Sequence, residues 1–338
     1  MMKIYVPYYY NKFKCIADKC TDNCCIGWGI DVDSDTVKRY KSLPPELGEE
    51  VLASIDFSDG ASFKCDCSGR CANLDERGLC RIISKLGEGY LCQICRDHPR
   101  YFNLVNGRCE GGVGIACEVG ADLVLSVDSM PEIQEIDSPD EVEDFSKVSP
   151  LAISARDYIF NLLFLSDDVN NLYGSVISAA ETLDDLLFDA LCGEVDEASP
   201  FEGFIYDKKV ALELDFSAIF RAFSTIEPLI PDFNEKLARA EKFASLKGSE
   251  LTEILADKGR VPMRNLTYYF IHRYFLSTEF SYRECALFAV ASAGLILTLS
   301  HLSGGITHEN LISEAKYFSK NIEYSTENVE IVLENLAE

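Results

Sequence analysis

From Pro150 onward, apolar residues recur at three- and four-residue spacing, the pattern of amphipathic helices. LAISARDYIFNLLFL and LYGSVISAAETLDDLLFDAL carry it, and Pro150 suits the first turn of a helix. The spacing predicts further helices over about 211–226, 232–246, 249–258, 263–280, 282–302, 307–320 and 326–337. Pro228, Pro231 and Pro262 separate some of them, and Ser303-Gly304-Gly305 ends another. There is no series of alternating strands and helices, and no repeat of solenoid length. The C-terminal two-thirds reads as an α-helical bundle or array.

The beginning of the chain has a different texture. Tyr5, Tyr8, Tyr9, Tyr10 and Phe13 form an aromatic cluster, read as a packing segment over the region that follows. In WGIDVDSDTVKRY, Asp33, Ser34 or Asp35 caps a short helix running to about Tyr40. LPPELGEE is a turn that starts another short helix, and SDGAS is a loop. Residues 63–117 hold many glycines and few long apolar runs, so crosslinks or metal must help hold them together. ADLVLSVD is a short helix or strand, and 131–149 is acidic with two prolines, a linker or exposed loop. The expected fold class is mainly α: a cysteine-rich, metal-binding N-terminal region with little regular structure packed on an α-helical C-terminal domain. The expected organisation is a cysteine-rich domain 1–120, an acidic linker or loop 121–149 and a helical domain 150–338.

Composition sharpens this division. The 338 residues suffice for one large domain or two ordinary ones, with 47% hydrophobic and 26% charged residues, a normal globular balance. The net charge of −25 argues against nonspecific nucleic-acid binding and against docking on an anionic membrane, and favours a basic partner. Residues 1–120 contribute −2 of it and residues 121–338 contribute −23. An acidic surface also serves plain solubility. The most apolar stretch, Cys285–Leu302, approaches the length of a membrane span but is rich in small and polar residues, and reads as a buried core helix.

Of 14 cysteines, twelve lie between Cys15 and Cys117. Such density means disulfides in an oxidising compartment or thiolate ligands in a reducing one. The opening MMKIYVPYYYNKFKC has no secretory-signal pattern, so metal thiolates in the cytoplasm are the expectation, with a disulfide-stapled exported protein as the rival. One group is Cys15, Cys20, Cys24 and Cys25; another is Cys71, Cys80, Cys92 and Cys95, the last two as C-x2-C. A C-x2-C turn can aim two sulfurs at one centre, whereas adjacent Cys24 and Cys25 diverge and serve different centres unless only one ligates. Spacing alone leaves zinc and iron–sulfur both open. Neither the C-x3-C-x2-C run of radical enzymes nor a ferredoxin run is present.

These residues also resemble a known family. CIADKCTDNCCIGWGIDVDSDTVKRY (Cys15–Tyr40) is similar to the opening motif of the flagellin lysine N-methylase family. CANLDERGLCRIISKLGEGYLCQICRDHPR (Cys71–Arg100) is similar to its second motif. Glu110 to Cys117-Glu118 is similar to a third piece, here without its proline. The motifs cover about the first 120 residues; beyond them only length, helical character and the aromatic segment NLTYYFIHRYFLSTE agree. The pattern also overlaps a wider group of cysteine-rich zinc- or iron-chelating proteins.

The resemblance implies methyl transfer from S-adenosylmethionine to lysine ε-amines of flagellin, with a [4Fe–4S]-type cluster in the cysteine region. By position it implies Cys15, Cys20, Cys24, Cys25, Cys71, Cys80, Cys92 and Cys95 as ligands, with Cys117 a further match. Cys65, Cys67 and Cys109 have no counterpart and read as ordinary buried thiols, with spare ligands the other reading. The alternative is a non-enzymatic zinc- or iron-binding protein with a helical interaction domain. A lysine ammonium has no lone pair, so a methylase must desolvate or deprotonate it. For the cofactor, Trp28 offers an aromatic face to a sulfonium, and Arg96 and Arg100 offer charge to a carboxylate or thiolate cluster. Packing over the metal region is the other reading of Trp28, and a salt bridge to Asp97 that of the arginines. His98 could cap or ligate. The run Glu110-Gly111-Gly112-Val113-Gly114 reads as a loop, and no Rossmann pattern is present. Tyr268 with His272, and Tyr269 with Arg273, share helix faces, Tyr274 lying beside them; they read as core and edge packing. No catalytic residue is assigned.

Overall fold

A computed structural model describes residues 3–137, 147–166, 172–197, 201, 214–277 and 280–337. The chain runs through β1 (Lys3–Pro7), α1 (Ser34–Lys41), α2 (Pro45–Ala53), β2 (Ile55–Asp56), β3 (Ser62–Phe63), α3 (Arg81–Leu86) and α4 (Gln93–Asp97). The hairpin β4 (Arg100–Val105) and β5 (Arg108–Val113) follows, then α5 (Glu118–Leu125) and β6 (Ile133–Asp137). The remainder is α6 (Pro150–Leu165), α7 (Leu172–Leu191), α8 (Phe216–Arg221), α9 (Phe233–Leu246), α10 (Gly248–Ala256), α11 (Arg260–Tyr274), α12 (Tyr282–Leu302), α13 (His308–Ile322) and α14 (Thr326–Ala337).

Two compact units result. A cysteine-rich unit comprises 14–101 and 117–119, and a helical unit comprises 1–13, 102–116 and 120–338. The expected segment 1–120 is thus shared between them. The reason is a four-stranded sheet of order β4-β5-β1-β6 that the periodicity did not disclose. In β1, Ile4 and Val6 face inward while Lys3 and Tyr5 alternate outward, a period of two too short to stand out beside a tyrosine run. β1 pairs in parallel with β5 and antiparallel with β6. Parallel neighbours need a long connection; here the whole cysteine-rich stretch lies in the chain between them. The β4–β5 turn is Asn106-Gly107, both at positive φ, the dipeptide that tight hairpins favour. The glycine run expected as a loop is therefore partly a strand. A Cβ on Gly111 would stand 3.1–3.2 Å from side-chain atoms of Ile4, Val6 and Phe102, so a bare backbone is what lets the strands close.

The acidic segment expected as a linker holds structure too. α5 takes its first part, and β6 pairs with β1 through Lys3↔Asp137 to Pro7↔Ile133. Residues 138–146 of that expectation lie outside the described residues.

The C-terminal helices follow the pattern closely. α7 and α12 occupy their predicted spans, and Ser281 with Glu284 closes a capping box at the start of α12. α12 is long and apolar enough to cross a membrane, yet 89% of its most apolar window is buried within the protein, against α7, α11, α13 and α14 among others. It is a core helix, as its small residues suggest. Gly294 lies beneath Phe216, whose ring would be 2.5 Å from an added Cβ. α11 begins at Arg260, so Pro262 sits in its first turn rather than between helices, where a missing N–H costs nothing. α8 is shorter than the span predicted for it, part of which lies outside the described residues.

Candidate functional site: a set of converging thiols

Two short helices and two loops position the thiols of the cysteine-rich unit. Cys92 is the N-cap of α4 and Cys95 lies one turn on, so the C-x2-C sulfurs share a face. Cys80 is the N-cap of α3. The Cys71 backbone N–H donates to the Cys25 carbonyl at 2.9 Å, tying the first cysteine group to the second. Asn23 reinforces that tie: its side chain accepts from the Cys25 N–H at 2.9 Å and donates to the Gly78 carbonyl at 2.9 Å. Around these lies the unit's core, Ile30, Val32, Val37, Tyr40, Val51, Ile55, Phe63, Leu74 and Ile82, with Cys71 and Cys92 buried in it and Cys25, Cys80 and Cys95 packed against it.

Six of the nine expected thiols, Cys24, Cys25, Cys71, Cys80, Cys92 and Cys95, form a chain of electrostatic neighbours, each within reach of at least one other, and Cys65 acts on Cys71 as well. Their sulfurs are thiols, not disulfides. The Cys24 hydrogen bond, burial and the neighbouring Cys80 and Cys71 raise the Cys25 pKa well above the ordinary thiol range. The Cys92 hydrogen bond and burial do the same for Cys95, while Cys92 itself is lowered by that bond. Burial raises Cys71 and Cys80. A partly buried set of thiols, most of them pushed above the ordinary range, is one that a cation would stabilise as thiolates. The donor type, thiol sulfur, is the one that soft ions and clusters take. Among the described residues, no group of three or more Cys, His, Asp or Glu is placed so that it could hold a metal ion.

The other expected ligands have different surroundings. Cys15 is exposed, its sulfur accepting from the Ala17 N–H at 3.4 Å. Cys20 donates to Glu118 at 3.6 Å, the carboxylate that also accepts from the Thr21 N–H at 2.9 Å. Cys117 is half-buried just before α5. Of the cysteines without a counterpart, Cys109 is buried in the sheet as expected, but Cys65 and Cys67 are exposed. They sit in a polar turn where Asp66 accepts from the Ser68 and Arg70 N–H groups, leaving little apolar cover.

Trp28 sits beside the thiols. Its indole N–H donates to the Cys24 carbonyl at 2.6 Å, and its ring lies 5.8 Å from that of His98. Arg96 pairs with Asp97 at 2.9 Å. Arg100 opens β4. The residue that periodicity overlooked is Tyr40: fully buried, it donates to the Tyr90 carbonyl at 2.7 Å, and burial and the nearby Cys92 and Cys95 raise its pKa. In the helical unit, Tyr269, Arg273 and Tyr274 all bond Glu323, at 2.9, 3.1 and 3.0 Å, a packing network as expected.

Fold and site together define a largely helical protein with a cysteine-rich unit. Sequence comparison then gives particular relatives. Two curated proteins named Lysine-N-methylase, from Salmonella typhimurium and Salmonella choleraesuis, are each 26% identical to this chain over 167 residues, 47% of this chain and 41% of theirs. The flagellar biosynthetic protein FliU of Salmonella muenchen is 29% identical over 132 residues, 37% of this chain and 78% of that protein. The resemblance seen in the cysteine motifs thus extends to curated lysine-N-methylases, of whose length the match spans about two-fifths. No family model matches the chain, and no solved structure matches it.

Proposed function

We propose that this protein is a methyltransferase that modifies lysine ε-amines of flagellin with S-adenosylmethionine, using an iron–sulfur cluster held by thiols among Cys24, Cys25, Cys71, Cys80, Cys92 and Cys95. The observation that carries the reading is the convergence of these six thiols from two separated stretches. The similarity to lysine-N-methylases and to a flagellar biosynthetic protein supports the reaction and its setting. Thiols of this set would hold the cluster, which would supply iron for binding the cofactor. The chain's own residues then have separable tasks. Cys71 and Cys92, buried in the apolar core, with Cys25, Cys80 and Cys95 packed against it, restrain the geometry of the set, while Cys24 is exposed. Trp28, fixed through its N–H to Cys24, presents an aromatic face suited to a sulfonium. The acidic balance of 121–338 draws a lysine-bearing partner.

The test is anaerobic purification with iron, zinc and sulfide analysis, alongside transfer of labelled methyl from S-adenosylmethionine to flagellin. Iron and sulfide in the wild type, their loss in Cys92→Ser and Cys95→Ser, and lysine methylation are expected. Zinc without sulfide, and no methyl transfer, would overturn the proposal in favour of a non-enzymatic metal-binding protein.

A further inference from the structure

A cavity of about 350 Å³ opens in the helical unit, with Arg108, Glu110, Arg156, Phe160, Tyr268 and His272 in its wall. The helix face of Tyr268 and His272, for which packing was the expectation and a pocket the other reading, lines a void large enough for a small ligand. The polar inventory there is unbalanced. Glu110 is buried and receives both terminal nitrogens of Arg156, at 2.5 and 3.1 Å, with the Arg108 Nε 3.5 Å away. Two guanidiniums, with five N–H groups each, thus share one buried carboxylate. The Arg156 side chain is only 7% exposed, and its Nε is buried with no hydrogen-bond partner. Asp157, which also lines the cavity 3.8 Å from Arg156, is 62% exposed, so its charge is screened, and partial burial raises its carboxyl above the usual range; it offsets the Arg156 charge weakly. Arg108 stacks 3.7 Å over the Tyr5 ring, which holds it at the rim. Two guanidiniums on one cavity wall do not follow from composition in a chain of net charge −25.

An unsatisfied buried guanidinium N–H is costly, and an acceptor from outside the chain would relieve it. The remaining wall is mixed, with Met130, Ile133 and Ile153 beside Phe160 and with Asp157 and Asn161 among them. Burial and the positive charge of Arg156 push His272 down to about 4, which keeps the imidazole neutral beside these cations. We propose that this cavity binds a small organic carboxylate, whose oxygens meet Arg156 and Arg108 and whose apolar body lies against Phe160 and Met130. All the lining residues belong to the helical unit, so the site stands independently of the methylase reading.

The test is a head-group series with one body, phenylacetate, phenylacetamide and phenethylamine, titrated into the full-length protein by ligand-observed NMR. Two rim variants accompany it: Arg108→Gln, which removes one cation, and Met130→Trp, which fills the opening. Both positions are substantially exposed, and circular dichroism checks that the fold is kept. Phenylacetate is expected to bind about tenfold or more tightly than the amide, with the amine weaker still, and each variant to lose about tenfold. Exposed Phe188→Ser is the control and should leave binding unchanged. Absence of saturable phenylacetate binding, an amide or amine that binds as well, or undiminished binding in Met130→Trp would each overturn the proposal.

Discussion

Asp33 accepts the backbone N–H of Gln93 at 2.9 Å while the same carboxylate caps α1 through the Thr36 N–H at 2.8 Å. One side chain thereby joins the N-termini of two helices, and Gln93 follows directly on Cys92. Its carboxylate is held below the usual range; burial works against this, but the Gln93 and Thr36 hydrogen bonds prevail. The C-x2-C turn is braced by a residue sixty positions earlier in the chain.

Asp33→Ala removes both caps. It should cost about 1–2 kcal/mol in chemical denaturation. If the brace matters to the thiols, metal content should fall as well, whereas capping of α1 alone would lower stability without changing it. Elemental analysis of the folded variant separates the two.

The thiol set predicts an order among cysteine variants. Cys25→Ser and Cys80→Ser should lower bound metal, since both lie within the group of six. Exposed Cys15→Ser should retain wild-type metal even though motif resemblance groups it with the ligands. Metal analysis of the three proteins side by side decides it; equal loss in all would mean that the centre draws on the whole N-terminal motif.

The Glu110–Arg156 pair is buried on both sides. Glu110→Gln leaves a guanidinium in a protein interior, which typically costs about 3–5 kcal/mol. The double variant Glu110→Gln/Arg156→Met should recover a large part of that loss, because the stranded charge is gone. A double-mutant cycle from urea denaturation measures the coupling.

His272 gives a pH signature. Its folded pKa is lowered from 6.5 to about 4, chiefly by burial. Below about pH 6.5 the unfolded chain takes up a proton that the folded protein refuses, so stability is full above that pH and declines toward about pH 4. The decline attributable to this residue is about 3 kcal/mol. His272→Gln should flatten the stability profile between about pH 5 and pH 7 relative to wild type. An unchanged slope would show that the imidazole is not held neutral.

Much of the helical unit was legible because its signals are local. The apolar spacing of Leu172–Leu191 and Tyr282–Leu302 repeats every turn, and caps such as Ser149 and Ser281 lie beside the helices they start. The cysteine groups were legible as chemistry, because few residues besides Cys justify such density. What the chain order hid is long-range pairing. β1 meets β5 across about a hundred residues, and neither Lys3–Pro7 nor the glycine-bearing Arg108–Val113 has a period long enough to announce a strand. Which six thiols gather, and that Arg108, Arg156 and His272 from three distant segments face one void, are likewise decided only when apolar surfaces close and bring separate stretches together. Local propensity fixes helices from neighbouring residues; sites are fixed by burial, which no window of sequence contains.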